Sequence, residues 1–231
     1  MRRLGIIGGI APPSTIDYYR QLTTRYEQRS PDGSYPQIIL NSIDGRRFFV
    51  VLEAGDRPTM IEVLLAELDR LARASADIAI FASNTPHLVF DDVAASSPLP
   101  LISIVEEVAK VAAAAGYQRV GLLGARFTME AAFYPRVFER HGIEVVVPTP
   151  SDRAYVHERY FAELVEGRFL EETRAGVIDV VARLVAAEEI ESVILGGTEL
   201  PLLLRDAEAA VPMLDVTSIH VDAVIERLLE S

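Results

Sequence analysis

Two short polar clusters hold the residue types in this chain best suited to chemistry, and each follows an apolar run that reads as a strand. Ser83-Asn84-Thr85-Pro86-His87 follows Asp77-Ile78-Ala79-Ile80-Phe81-Ala82. Gly197-Thr198-Glu199-Leu200-Pro201 follows Glu191-Ser192-Val193-Ile194-Leu195-Gly196. Asn84, Thr85 and Thr198 supply hydrogen-bonding groups at strand ends. His87 is the only histidine beside either cluster, and an unperturbed imidazole titrates near neutrality, where acid–base chemistry needs it. Glu199 suits a general base or a group that orients one, while Gly197 offers only room. A serine nucleophile needs a base and an orienting acid within reach; neither the spacing nor a G-x-S-x-G motif supplies them.

A third candidate is Gly8-Gly9-Ile10-Ala11-Pro12-Pro13-Ser14-Thr15, between the first apolar run and a helical pattern from about Ile16. Glycines let backbone approach a ligand, and Ser14 or Thr15 can cap a helix whose N-terminus favours an anion. Neither G-x-G-x-x-G nor Gly-Lys-Ser/Thr is present, so a small carboxylate fits better than a nucleotide. A plain strand-to-helix turn would read the same way. Arg46-Arg47 has the fork geometry to clamp a carboxylate, or to form a solvated loop. In Asp215-Val216-Thr217-Ser218-Ile219-His220, Thr217 or Ser218 is expected either in the site or as a helix cap.

The elements that must position these residues alternate in type. Short β-branched runs at 3–8, 36–43, 77–82, 100–104, 119–124, 143–147, 192–196 and 212–215 are separated by amphipathic stretches, the pattern of βαβ units and a parallel sheet. Over 58–74, Met60, Val63, Leu64, Leu68 and Leu71 share a helix face; over 170–188, Val177, Ile178, Val181, Leu184 and Val185 do. The order repeats. Gly5-Ile6-Ile7-Gly8 resembles Gly121-Leu122-Leu123-Gly124, Ser83-Asn84-Thr85 aligns with Gly197-Thr198-Glu199, and Pro100-Leu101-Ile102-Ser103 aligns with Pro212-Met213-Leu214-Asp215. Three collinear matches with a drifting offset read as a diverged duplication, not a solenoid of short repeats. The expected fold is α/β: two pseudo-symmetric Rossmann-like lobes with parallel sheets, 1–99 plus 216–231 and 100–215. Ligands of such sheets bind outside the carboxyl ends of the strands, which places the site in a cleft between the lobes.

Composition narrows the function classes. The chain has 231 residues, 50% hydrophobic and 24% charged, which suffices for globular cores. With 22 Lys+Arg against 34 Asp+Glu the net charge is −12, unfavourable for phosphate backbones or anionic lipid. No apolar run reaches the roughly 20 residues that span a bilayer, and the glycine-broken N-terminal stretch is too short for a signal peptide. There are no cysteines and four histidines (87, 141, 157 and 220), which removes disulfides and thiolate metal sites and argues against a zinc cluster. A cytoplasmic location is the expectation.

Taken together, the glycine loop, Ser83-Asn84-Thr85-Pro86-His87, Leu123-Gly124-Ala125-Arg126-Phe127-Thr128-Met129 and Gly196-Gly197-Thr198-Glu199 resemble the aspartate/glutamate racemase family of cofactor-independent amino-acid racemases, along the full chain. The resemblance implies an active site between two lobes, a homodimer, no metal or cofactor, and a small carboxylate or amino acid as ligand. In that family two cysteines, one per lobe, flank the substrate Cα. One thiolate removes the proton and the other thiol returns one, since a thiol pKa of about 8.5 lies near the working pH. Here the corresponding residues are Ser83 and Gly197. An unactivated serine is too weak an acid to serve as that base, and glycine transfers no proton. Ala125 stands where many relatives have threonine, and 162–167 lacks the lysine of strict aspartate racemases.

The resemblance thus marks Ser83, Gly197, His87 and Glu199 as the catalytic positions, and Gly9, Ile10, Arg46, Asn84, Thr85, Thr128 and Thr198 as substrate-binding. Its leading implication is an isomerase of small amino or dicarboxylic acids with other groups in place of the thiols. A silent carboxylate-binding protein and a decarboxylase or lyase are the alternatives.

Overall fold

The computed structural model describes residues 2–230 and divides into two compact units, Met1–Ser103 with His220–Ser231, and Ile104–Ile219. The N-terminal unit runs β1 (Arg3–Gly8), α1 (Pro12–Arg29), β2 (Gln37–Ser42), α2 (Gly45–Glu53), α3 (Arg57–Arg73), β3 (Ile78–Phe81), a 3₁₀ turn (Thr85–Val89) and α4 (Phe90–Ser96). The second unit runs α5 (Ile104–Ala114), β4 (Arg119–Leu123), α6 (Arg126–Glu130), α7 (Phe133–Glu139), β5 (Glu144–Val146) and α8 (Pro150–Arg159). A π-helical turn (Tyr160–Leu164), α9 (Glu171–Glu188), β6 (Ser192–Leu195), α10 (Leu200–Leu204) and β7 (Met213–Asp215) follow. The chain then enters α11 (Val216–Leu229).

Every strand pair is parallel, in the orders β2-β1-β3 and β5-β4-β6-β7. Central strands are buried on both faces, as β3 and β6 are at every residue. The edge strands β2 and β5 are partly exposed. That contrast is what helix-covered parallel sheets impose.

The duplication is written into the pairing register. Gly5 pairs with Ala79 and Gly121 with Val193; Ala79 bridges Leu101 and Val193 pairs with Met213. Each residue of the first set thus has its counterpart in the second, at the offset visible in the sequence.

The expected strand at 100–104 is reduced to that single bridge. Ala79 N–H donates to the Pro100 carbonyl (2.9 Å) and Ile102 N–H to the Ala79 carbonyl (3.2 Å), and α5 begins at Ile104. Pro100 has no N–H with which to extend the ladder backwards, and the helix stops it going forwards.

Helix starts follow local chemistry. Asp56 caps α3 through the Thr59 amide, and Thr149 caps α8 through the Asp152 amide. In α3 the residues Met60, Leu64, Leu68 and Leu71 are buried, with Val63 at the margin. In α9 they are Val177, Val180, Val181 and Leu184, with Ile178 and Val185 half-buried beside them. Among the described residues no helix is long and apolar enough to cross a membrane.

Candidate active site

In the N-terminal unit, β3 delivers Ser83 and Asn84 to buried positions just past its end, and Thr85, half-buried, opens the 3₁₀ turn. The His87 amide donates to the Asn84 carbonyl (2.9 Å). Ser14 ties this segment to the first helix, its hydroxyl donating to the Ala11 carbonyl (3.0 Å) with the Ala82 carbonyl also in reach (3.3 Å).

His87 does not titrate near neutrality, contrary to the expectation from sequence. It is buried, stacked on Phe90 with ring centroids 4.8 Å apart, and met edge-on by Phe81 at 6.1 Å. Desolvation first, and then the nearby His220, push its pKa down to about 3, against an opposing pull from the backbone at Asn84 and Ser83. A neutral imidazole with so acidic a conjugate acid is a poor proton acceptor.

The glycine loop also differs from expectation. Helix α1 starts at Pro12 with Ala11 as its cap, so neither Ser14 nor Thr15 caps it. Prolines at the first turn need no partner for the missing N–H, which lets the helix begin before Ile16. Gly9 has φ +85°, and its amide donates to the Thr15 hydroxyl (2.9 Å). A Cβ on Gly9 would lie 2.5 Å from the Ser42 hydroxyl and 2.8 Å from the Ile43 amide nitrogen. One on Gly45 would lie 2.6 Å from the Gly9 carbonyl oxygen and 2.7 Å from the Ile10 carbonyl carbon. These glycines let the ends of β1 and β2 close-pack, and Ile10 next to Gly9 is buried.

Asp44 caps α2 by accepting from the amides of Arg46 and Arg47, and the Arg47 guanidinium returns to it at 3.2 Å. Arg46 is exposed in the same first turn. At the start of α11, Asp215 accepts from the Ser218 amide (2.9 Å), so the cap is Asp215 and not Thr217 or Ser218.

In the second unit, β6 delivers Gly196, Gly197, Thr198 and Glu199, all buried. Thr128 lies in α6, beyond β4, where Cβ atoms on Gly124 and Gly196 would meet its side chain at 3.0 and 3.2 Å. The Thr198 hydroxyl reaches the Glu199 carboxylate at 3.3 Å. A second hydroxyl, that of Tyr160, donates to the same carboxylate.

Tyr160 was not legible as a neighbour of this cluster, because a tyrosine in a helical stretch carries no motif. Its ring fills the volume in front of Gly197: a Cβ there would lie 2.6 Å from the Tyr160 hydroxyl and 2.8 Å from its Cζ. Burial, and then the charge of Glu199, raise the phenol pKa well above its ordinary value, so the phenol keeps its proton. The only sequence signal was indirect: a glycine just past a buried strand leaves space that something must occupy.

Tyr160 opens the π turn, where the Val165 amide donates to the Tyr160 carbonyl (3.0 Å) and the Arg168 amide to the Glu163 carbonyl (2.9 Å). Such turns are rare and recur at functional sites. Glu163 anchors this one from a buried position, accepting from Arg159 (2.9 Å) and from the Thr173 hydroxyl.

The polar residues therefore stand at the ends of equivalent strands in two units that repeat one pairing pattern. Comparison with known proteins agrees with that layout, since the model of Asp/Glu/Hydantoin racemase matches residues 7–224. The chain belongs to this racemase family. Family membership supports an isomerase as the enzyme class.

Solved relatives extend the match over the whole chain. A candidate Asp/Glu racemase from Yersinia pestis is 35% identical, with a TM-score of 0.89 and complete coverage of both chains. An aspartate racemase homologue from Pyrococcus horikoshii OT3 is also 35% identical, with a TM-score of 0.84 and the same coverage. A broad specificity amino-acid racemase from Bacillus subtilis is 22% identical over 92% of each chain.

Proposed function

We propose that this protein is a cofactor-independent isomerase of small amino or dicarboxylic acids that works without thiols. The observation that carries the reading is the buried carboxylate of Glu199, placed two residues past Gly197 at the end of β6 and holding hydroxyl donors from Thr198 and Tyr160. It is the one acidic side chain in either strand-end motif. Glu199 is the final acceptor of the proton released when the substrate Cα–H bond breaks. Solvent water returns a proton to the opposite face of Cα, and the hydroxide so formed takes the proton held on Glu199, which restores the carboxylate. The aspartate named in the descriptions of the solved relatives makes acidic amino acids the first substrates to try.

The test is proton NMR of L- and D-amino acids in D₂O, aspartate and glutamate leading, with the wild type and Glu199→Gln. The expected result is loss of the Cα proton signal with the wild type and a loss of rate of at least about 100-fold in the variant. A signal unchanged across the panel with the wild type overturns the reading.

A further inference from the structure

We infer that the Tyr160 phenol is the group that exchanges a proton with the substrate Cα in the second unit, taking the place of a side chain at position 197 and passing the proton on to Glu199. The inference rests on the isomerase reading above and deepens it.

Three observations converge. The first is volume. Any side chain on residue 197 would start 2.6 Å from the Tyr160 hydroxyl, so glycine at 197 and tyrosine at 160 are a matched pair. The phenol oxygen thereby lies 2.6 Å from the point at which a side chain on residue 197 would begin. The second is connection, because the hydroxyl donates to the buried Glu199 carboxylate and so has a defined place to send its proton. The third is location. Gly197 follows β6 at the carboxyl end of a parallel strand, where sheets of this kind bind ligands, and Tyr160 retains 7% exposure while Glu199 has 1%. Of the two residues, Tyr160 is the more exposed.

The step balances with the groups present. As the Cα–H bond breaks, its proton passes to the phenol oxygen, and the proton already on that oxygen passes to a Glu199 carboxylate oxygen. The electron pair remains on the substrate as an enediolate. Phenol and carboxylic acid are then both neutral; once their protons have exchanged with solvent, the reverse transfer restores the carboxylate and leaves a solvent-derived hydrogen on Cα. A buried phenol that stays protonated at rest fits this relay, since it never has to exist as a free phenolate.

The alternative is that Tyr160 only fills space, and Tyr160→Phe separates the two because it keeps the ring and removes the hydroxyl. Deuterium incorporation at Cα in D₂O, on the best substrate of the panel, is measured for the wild type, Tyr160→Phe and Glu199→Gln, with the thermal midpoint of each. The expected result is a fall of at least about 100-fold in exchange for Tyr160→Phe, with KM changed less than threefold and the fold intact. Glu199→Gln should fall comparably. Exchange by Tyr160→Phe within threefold of the wild type overturns the Tyr160 assignment and leaves the isomerase reading standing. A wild type that exchanges no substrate overturns both. Should Tyr160→Phe not fold, Tyr160→His, which keeps a ring and a titratable proton, provides the same comparison: it must exchange more slowly than wild type with a pH dependence following imidazole, and a profile identical to wild type overturns the assignment.

Discussion

Gly197 and Tyr160 compete for one volume: a Cβ on the glycine would sit 2.6 Å from the tyrosine hydroxyl, closer than real side-chain atoms pack. Both residues are buried and Tyr160 opens the π turn, so neither can step aside cheaply. Gly197→Ala should therefore destabilise the protein by about 1–3 kcal/mol through overpacking. Tyr160→Ala should cost about 3–5 kcal/mol through the cavity it leaves. The double variant should cost less than the sum by about 1 kcal/mol or more, since the small ring-free site then accepts the new methyl. A urea-denaturation cycle measures this. Additivity within about 0.5 kcal/mol would show that the two residues do not share space.

The anchor of that turn gives a second expectation. Glu163 is buried with the Thr173 hydroxyl and the Arg159 guanidinium as its donors, which hold its carboxyl below the usual range, the Thr173 bond first. Thr173→Val keeps the shape and removes one donor from a buried acceptor. The cost should be about 1–3 kcal/mol in the urea midpoint at neutral pH. Thr173→Ser, which restores the hydroxyl, should recover most of it. Equal stability of wild type and the valine variant would mean that the turn is held by the backbone alone.

The strand order was legible in the sequence because central parallel strands have to be continuous apolar runs, and seven of the eight expected strands formed within two residues of their expected ends. The eighth failed at Pro100, where a missing N–H outweighs the apolar pattern of Leu101 and Ile102. The clusters around Ser83 and Gly197 were legible for a related reason, since short polar motifs at strand ends stand out against apolar runs. What sequence did not reveal was the environment of each side chain. His87 looks like a titrating base until Phe81, Phe90 and His220 are placed around it. Tyr160 lies 37 residues before Gly197 in the chain, and only folding of the π turn brings the ring to the glycine.

The two buried histidines of the N-terminal unit should make the protein lose stability in acid. His220 lies between the Tyr18 hydroxyl (2.9 Å) and the Ile102 carbonyl (3.0 Å). A carbonyl only accepts, so Nε2 carries the hydrogen and Nδ1 accepts from Tyr18. Burial lowers its pKa to about 4, while desolvation and then His220 lower that of His87 to about 3. Both are neutral in the folded protein, whereas in the unfolded chain both protonate near pH 6.5. Below that pH the unfolded state binds more protons, so stability rises with pH and is lost as pH falls from about 7 towards 4 and 3. Between pH 7.5 and 5.0 each histidine should cost about 2 kcal/mol, a window above the range in which depressed carboxylates such as Asp152 and Glu163 titrate. His87→Phe suits the aromatic setting between Phe81 and Phe90 and removes one titration. Urea midpoints at the two pH values should show the acid-induced loss roughly halved in this variant. An undiminished loss would mean that His87 accepts its proton without unfolding, and that its surroundings are wetter than the packing of Phe90 against it implies.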